Sequence, residues 1–204
     1  MGLFEFVFLA LVFLYSVVIH EVAHGLVAYD LGDSTAKDLG RLTLNPIKHL
    51  DMVGSILLPL LLIIFRAPFI FGYAKPVPYN PVNLRDQKFG PAKVAFAGPA
   101  SNLALAVLFG LLLRFLPLSF QGSVLPELLI AIVQINLLLA IFNLMPIPPL
   151  DGHWLLLAIL PDGFQAIRIF FVKYGLIFFI IFLFFIFPLI FPLIKFLTEV
   201  IVGG

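Results

Sequence analysis

The sequence predicts an all-α polytopic membrane protein with about four full transmembrane helices, and three observations carry that prediction. Of 204 residues, 62% are hydrophobic and 11% charged, where an average soluble domain has about 25% charged. Mean hydropathy is +1.16. The apolar residues are gathered into runs at about 3–29, 52–65, 94–113, 125–145 and 174–194, separated by polar or proline-rich stretches. A crossing takes about 20 apolar residues for a hydrocarbon core of roughly 30 Å, so four of these runs are long enough. No separate soluble domain fits, and one membrane-embedded domain is expected over 1–204.

The first run follows Met1-Gly2-Leu3-Phe4-Glu5, which lacks the positive n-region of a cleavable signal peptide, so it is expected to remain as a span. The second, about 14 residues from Met52 to Phe65, contains Pro59 and ends at Arg66. That suits a re-entrant or half-spanning segment better than a crossing. Its flanks agree: Lys37, Arg41 and Lys48 precede it, and Arg66, Lys75, Arg85, Lys88 and Lys93 follow, so both ends read as cytoplasmic by the positive-inside rule. In the loop over 66–93, the proline-rich stretch from Lys75 to Pro81 suits a short extended or β segment, with a plain connection as the simpler reading. The third and fourth runs, 94–113 and 125–145, are ordinary spans. The last is rich in Phe, and Pro188 and Pro192 predict a kinked, lipid-facing helix at about 167–197.

Counted this way, ten of the twelve Lys and Arg lie on one side, with Arg114 and Lys195 on the other. Both termini are then extracytoplasmic, in a bacterial-type plasma membrane. Cysteine is absent, so thiolate nucleophiles and thiolate metal sites are excluded and any metal chemistry falls to His, Asp and Glu. A net charge of +1 gives no nucleic-acid footprint.

The first span carries the chemistry. It reads Val17-Val18-Ile19-His20-Glu21-Val22-Ala23-His24-Gly25, an HExxH pattern. On a helix, residues four apart share a face, so both imidazoles reach one zinc while Glu21 stands beside a bound water. Zinc acidifies such a water to a pKa of about 7, and a carboxylate can take its proton as it attacks a carbonyl. A charge at the centre of a span costs about 2.5–3.5 kcal/mol on insertion scales unless it is paired or faces a cavity. Three ionisable residues within five positions therefore argue for a site rather than a polar helix end. At 1.5 Å per residue, His20 lies about 24 Å from Phe4, toward the cytoplasmic face.

A catalytic zinc has three protein ligands and an open position. Asp30 sits six residues past His24, but Val27 stands where a turn-forming Gly would bring it back. His49 and Asp162 read as solvated interfacial residues. Asp151 is the better candidate. It follows the span from Leu125 to Met145 in Asn143-Leu144-Met145-Pro146-Ile147-Pro148-Pro149-Leu150-Asp151-Gly152-His153, where prolines break the helix. Irregular backbone at that depth is tolerated where it is buried in protein or lines a cavity. With a re-entrant 52–65 run, this span exits on the same side as His20 and His24.

On these residues the chain resembles the site-2 proteases, intramembrane zinc metalloproteases with HExxH on one span and an NxxPxxxLDG-like motif on another. Here the motifs are His20 to His24 and Asn143 to Gly152. A GPxxN motif appears as Gly98-Pro99-Ala100-Ser101-Asn102, and Phe71-Gly72-Tyr73-Ala74-Lys75-Pro76-Val77-Pro78 is similar to a loop of small bacterial members; together they cover most of 15–155. The resemblance implies one Zn2+ held by His20, His24 and Asp151, and Glu21 as catalytic acid and base, in a core of about 4–160. It implies that Asn143 and Asn102 position substrate or stabilise the oxyanion, against the plainer reading of hydrogen bonds between spans. It also implies a single-span membrane-protein substrate already trimmed by another protease, in the bilayer. The chain has no room for a PDZ domain, and no span precedes the HExxH helix. His153 reads as an interfacial histidine. Two other classes stand beside this one: a divalent-metal transporter or sensor, disfavoured by the lack of repeat symmetry, and an inactive homologue that binds membrane proteins, disfavoured by the presence of Glu21.

Overall fold

The computed structural model describes residues 2–66, 72, 74–120 and 122–203, and among them the chain is helix and loop without a strand. Helix α1 (Leu3–Asp30) holds the HExxH sequence. It stops where Gly32 takes φ +113°. The Gly32 and Asp33 N–H groups turn back to the carbonyls of Tyr29 and Ala28, at 3.0 and 2.9 Å. This is the Schellman arrangement, in which a left-handed residue lets the last carbonyls find donors.

A one-turn helix, α2 (Thr35–Asp38), follows. The second apolar run then begins as a π-helical segment (Met52–Leu57), capped by the Asp51 carboxylate, which accepts from the Val53 and Gly54 N–H groups at 3.0 and 2.7 Å. It continues as α3 (Leu58–Ile64). At 52–64 this helical run is shorter than a crossing requires. The proline-rich segment expected to be extended or β is a loop over 74–80, with no strand among the described residues. Phe71 and Tyr73 of the motif noted there lie outside the described residues.

Helices α4 (Gly90–Arg114) and α5 (Leu125–Asn143) each start with a proline in the first turn, where a missing N–H costs nothing. Helix α6 (Gly152–Ile159), which the sequence reading did not anticipate, begins directly after Asp151. The last apolar run is longer than expected: α7 (Gln165–Ile181), a π-helical turn (Phe182–Ile186), a 3-10 turn (Phe187–Leu189) and α8 (Ile190–Val202). With α1, α4 and α5, it makes four helical stretches long and apolar enough to cross a membrane.

Helix α4 is the centre of the bundle, packed against α1 on one side and α5 on another, with α8 against both α4 and α5. The core gathers Ala106 of α4, Val133 and Leu137 of α5, Phe182, and Ile190 and Ile194 of α8. Lipid tails are as apolar as these side chains, so close approach rather than hydrophobicity holds such helices together. Gly110 of α4 shows it, because a Cβ there would overlap Ile201 of α8. The last run, read as lipid-facing, leaves Ile169, Val172 and Leu176 of α7 exposed, while α8 exposes Phe191, Phe196 and Val200 and buries Ile190, Ile194 and Thr198. The change falls at Pro188, which has no N–H to give and crowds the preceding turn; the π-helical turn before it absorbs the misfit and redirects the chain.

Candidate metal centre

Helix α1 places His20 and His24 one turn apart, with the ring centroids 4.6 Å apart. Asp151 arrives from the break between α5 and α6. The three ligand atoms form a triangle: His20 Nε2 to His24 Nε2 is 3.0 Å, and the Asp151 Oδ2 lies 3.1 Å from the first and 3.3 Å from the second. A tetrahedral zinc with arms of about 2.05 Å sets its ligands about 3.3 Å apart. The triangle fits.

Hydrogen bonding on the far side of each ring fixes what faces inward. His24 Nδ1 lies 2.7 Å from the Val94 carbonyl, which can only accept, so Nδ1 carries the proton and a neutral His24 turns a lone pair inward. His20 Nδ1 lies 2.6 Å from Asn102 Oδ1. That amide is oriented in turn, since its Nδ2 donates to the Ser16 carbonyl at 3.2 Å and to Asn136 Oδ1 at 2.9 Å. Asn136 Nδ2 donates to the Ile132 carbonyl at 2.9 Å. Because the chain ends on backbone carbonyls, its direction is set, and His20 also holds its proton on Nδ1 and presents Nε2 as a ligand. Two lone pairs and a carboxylate in mutual contact repel one another unless a cation sits among them. The donor set thus fits a metal on chemistry as well as on distance.

Gly98 leaves the room. A Cβ on it would land on Nε2 of both histidines. Gly152 has a matching role beside Asp151, where a Cβ would strike the Leu144 carbonyl and so block the tight return of the chain.

A cavity of about 120 Å³ adjoins the triangle, lined by Glu21, His24, Asp151, Val77, Tyr79 and Trp154 among others. One Glu21 oxygen, Oε2, accepts from the Val77 N–H at 2.8 Å. The loop segment carrying Val77 is pinned at both ends. Arg41 Nη2 donates to the Lys75 carbonyl at 2.8 Å and the Lys75 N–H to the His49 carbonyl at 2.8 Å, while the Asn80 N–H donates to Asp33 Oδ2 at 2.8 Å. The Tyr79 hydroxyl is buried without a hydrogen-bond partner. Burial, and then the nearby Asp151 carboxylate, raise its pKa, so it stays protonated and able to donate.

Among the described residues, His20, His24 and Asp151 form the one group of three that could hold a metal. Asp30 is exposed at the end of α1, outside it. His49, expected to be solvated, is 1% exposed: Nε2 bonds the Thr43 carbonyl at 2.8 Å, under the segment that its own carbonyl holds. His153 Nδ1 bonds the Leu150 carbonyl at 2.7 Å and does not reach the triangle. Asn102 is wholly buried behind His20, away from the cavity, and Asn143 donates to the Leu139 carbonyl of its own helix at 2.9 Å.

Comparison with known proteins decides the family. Over 180 residues, 85% of this chain and 78% of the relative, the sequence is 39% identical to the candidate zinc metalloprotease YwhC of Bacillus subtilis. The chain belongs to the same family of zinc metalloproteases. It is also 33% identical over 141 residues to Rip2 of Mycolicibacterium smegmatis, spanning 52% of that protein, and 52% identical over 62 residues to MJ0611 of Methanocaldococcus jannaschii, both named as candidate zinc metalloproteases. No family model matches the chain, and no solved structure does.

The sequence reading of this protease missed Asn136, Val77, Tyr79 and Trp154. Asn136 had a signal, an amide that stands with Gln134 in the middle of an apolar span, seven residues before Asn143, where a polar side chain must find a partner. Val77 and Tyr79 had none, because their place depends on how a loop docks, and Trp154 had none because it lies on α6, which the sequence did not reveal.

Proposed function

We propose that the protein is an intramembrane endopeptidase that cuts the membrane-spanning segment of other membrane proteins, with His20, His24 and Asp151 as zinc ligands and Glu21 as the proton-transfer group. The observation that carries the reading is the triangle of donors opening onto a cavity that Glu21 shares. When bound, zinc supplies Lewis acidity that makes a water nucleophilic near neutral pH. Glu21, with one oxygen steadied by the Val77 N–H, has the other to take the proton from that water and pass it to the leaving amine. Tyr79 lines the same cavity, and its hydroxyl is a candidate donor to the carbonyl oxygen as that oxygen gains charge.

Pro76 and Pro78 have no N–H, and that of Val77 is engaged, so the segment over the cavity offers carbonyls only; those of Lys75 and Pro76 already accept from Arg41, which leaves those of Val77 and Pro78. An unwound stretch of substrate can pair its own N–H groups with them, as in strand addition. The positive-inside distribution supports a site toward the cytoplasm of a bacterial-type plasma membrane, with both chain ends outside. The substrate class is a single-span membrane protein already trimmed by another protease, as the resemblance to the site-2 proteases implies. Regulated intramembrane proteolysis is the process that such cleavage serves.

The test is reconstitution of the protein in liposomes with a single-span substrate, and mass spectrometry of the products. Cleavage inside the span is expected. Cleavage confined to soluble flanking sequence, or movement of divalent metal across the vesicle without any cleavage, would replace this reading.

A further inference from the structure

A second and larger cavity, about 550 Å³, lies on the other face of the 75–78 segment, lined by Leu39, Arg41, Ile47, Lys48, Leu50, Lys75, Pro76 and Pro78. Three of these are cations. Among the described residues none of the three is paired with a carboxylate. Arg41 is 8% exposed, and its guanidinium meets only the carbonyls of Lys75 and Pro76, through Nη2 at 2.8 and 3.4 Å. Its Nε is buried with no partner. A buried cation without an anion is costly, and evolution of such a charge in a cavity flanked by two exposed lysines makes sense if an anion completes it.

The remaining lining says which anion. Leu39, Ile47 and Leu50 are 62%, 73% and 39% exposed beside the cations, and after Asp51, whose carboxylate accepts from the Val53 and Gly54 N–H groups, the chain enters the apolar helical run at 52–64, whose Met52 and Val53 are also exposed. Charge at one end of a site and apolar surface at the other is the pattern of an amphiphile. An acidic peptide would use the charge and leave the apolar part bare.

We infer that this cavity binds the phosphate of an anionic phospholipid, with Arg41, Lys48 and Lys75 around the headgroup and Leu39, Ile47 and Leu50 against the glycerol and the start of the acyl chains. Pro76 lines both this cavity and the catalytic one. The bound lipid therefore braces the segment that holds Glu21. The inference stands on the charge and shape of this cavity and does not depend on the protein's being a protease.

The experiment is native mass spectrometry of the purified full chain in an uncharged detergent, titrated with phosphatidylglycerol or with phosphatidylcholine of the same acyl chains. Phosphatidylglycerol is expected to bind saturably and more tightly. The double variant Lys48→Gln/Lys75→Gln, at two exposed positions, is expected to weaken it about tenfold or more, since each lysine near an anionic headgroup contributes appreciably. Lys195→Gln, in α8, is expected to leave binding unchanged. Equal binding of the two lipids, or equal binding by wild type and double variant, overturns the site. Displacement of phosphatidylglycerol by inorganic phosphate overturns the lipid as its source, and displacement by an acidic peptide without acyl chains overturns the amphiphile argument.

Discussion

At the scale of single residues, the proposed ligand His20 depends on groups that lie outside the triangle. Its tautomer is set by Asn102, whose orientation is set by the Ser16 carbonyl and by Asn136. Partners of this kind change metal affinity by about 10–100-fold when removed. Asn102→Leu is expected to bind zinc 10–100-fold more weakly in a chelator competition, whereas Asn136→Leu, which leaves the Ser16 contact, is expected to have a smaller effect in the same direction. Wild-type affinity in Asn102→Leu contradicts the relay. Gly98→Ala is expected to fold and to lose zinc, because its methyl group occupies the space of both imidazoles.

The motifs were legible at this scale: HExxH needs only helical periodicity, and Asp151 followed from the proline break and the parity of the spans. Asn102 was legible as a polar residue in a span but not in its use, because which neighbour it meets depends on the crossing of α1, α4 and α5.

At the scale of elements, the loops after α1 place the active-site segment. Asp33 is fully buried under a thin cover of chain, and its carboxylate accepts from the Thr35 hydroxyl at 2.6 Å, the Asn83 amide at 2.8 Å and the Asn80 N–H at 2.8 Å. Burial works against the ionised form, but these bonds outweigh it and hold the pKa below the usual carboxylate range. The sign follows. A carboxylate depressed on folding contributes stability that is fully present above its unfolded value of about 3.9 and is lost as pH falls through the folded value. Asp33→Ala is expected to lower stability by about 1–3 kcal/mol at neutral pH, since buried donors are left unpaired. It is also expected to lose less than wild type when thermal unfolding is repeated below pH 4. Parallel losses in the two proteins would show that Asp33 carries no such linkage.

The same scale explains where sequence reading fell short. Runs of apolar residues marked the four spans, while the covered face of α8 was missed although Lys195 and Glu199 mark an exposed face away from the buried Ile190, Ile194 and Thr198. The docking of 74–80 was hidden, resting on long-range bonds to Arg41, His49 and Asp33.

At the scale of the whole molecule, the metal centre joins α1, the α5–α6 break and, through Val94 and Asn102, α4. A ligand that binds only the folded state stabilises it by mass action. Chelation is therefore expected to lower the thermal unfolding midpoint, and readdition of zinc to restore it. Trp154 is the one tryptophan in the chain and lines the catalytic cavity, so its fluorescence should change with the same zinc dependence. An unfolding midpoint and emission both indifferent to zinc would place the metal elsewhere or nowhere.

The central claim is that His20, His24 and Asp151 hold the zinc while Glu21 moves the proton. It is tested most directly by measuring zinc content and cleavage of a single-span substrate together, on wild type, Glu21→Gln and Asp151→Ala. The account predicts that Glu21→Gln keeps its zinc and loses nearly all activity, and that Asp151→Ala loses zinc and activity together. Full cleavage by zinc-loaded Glu21→Gln, or undiminished zinc in Asp151→Ala, would contradict it.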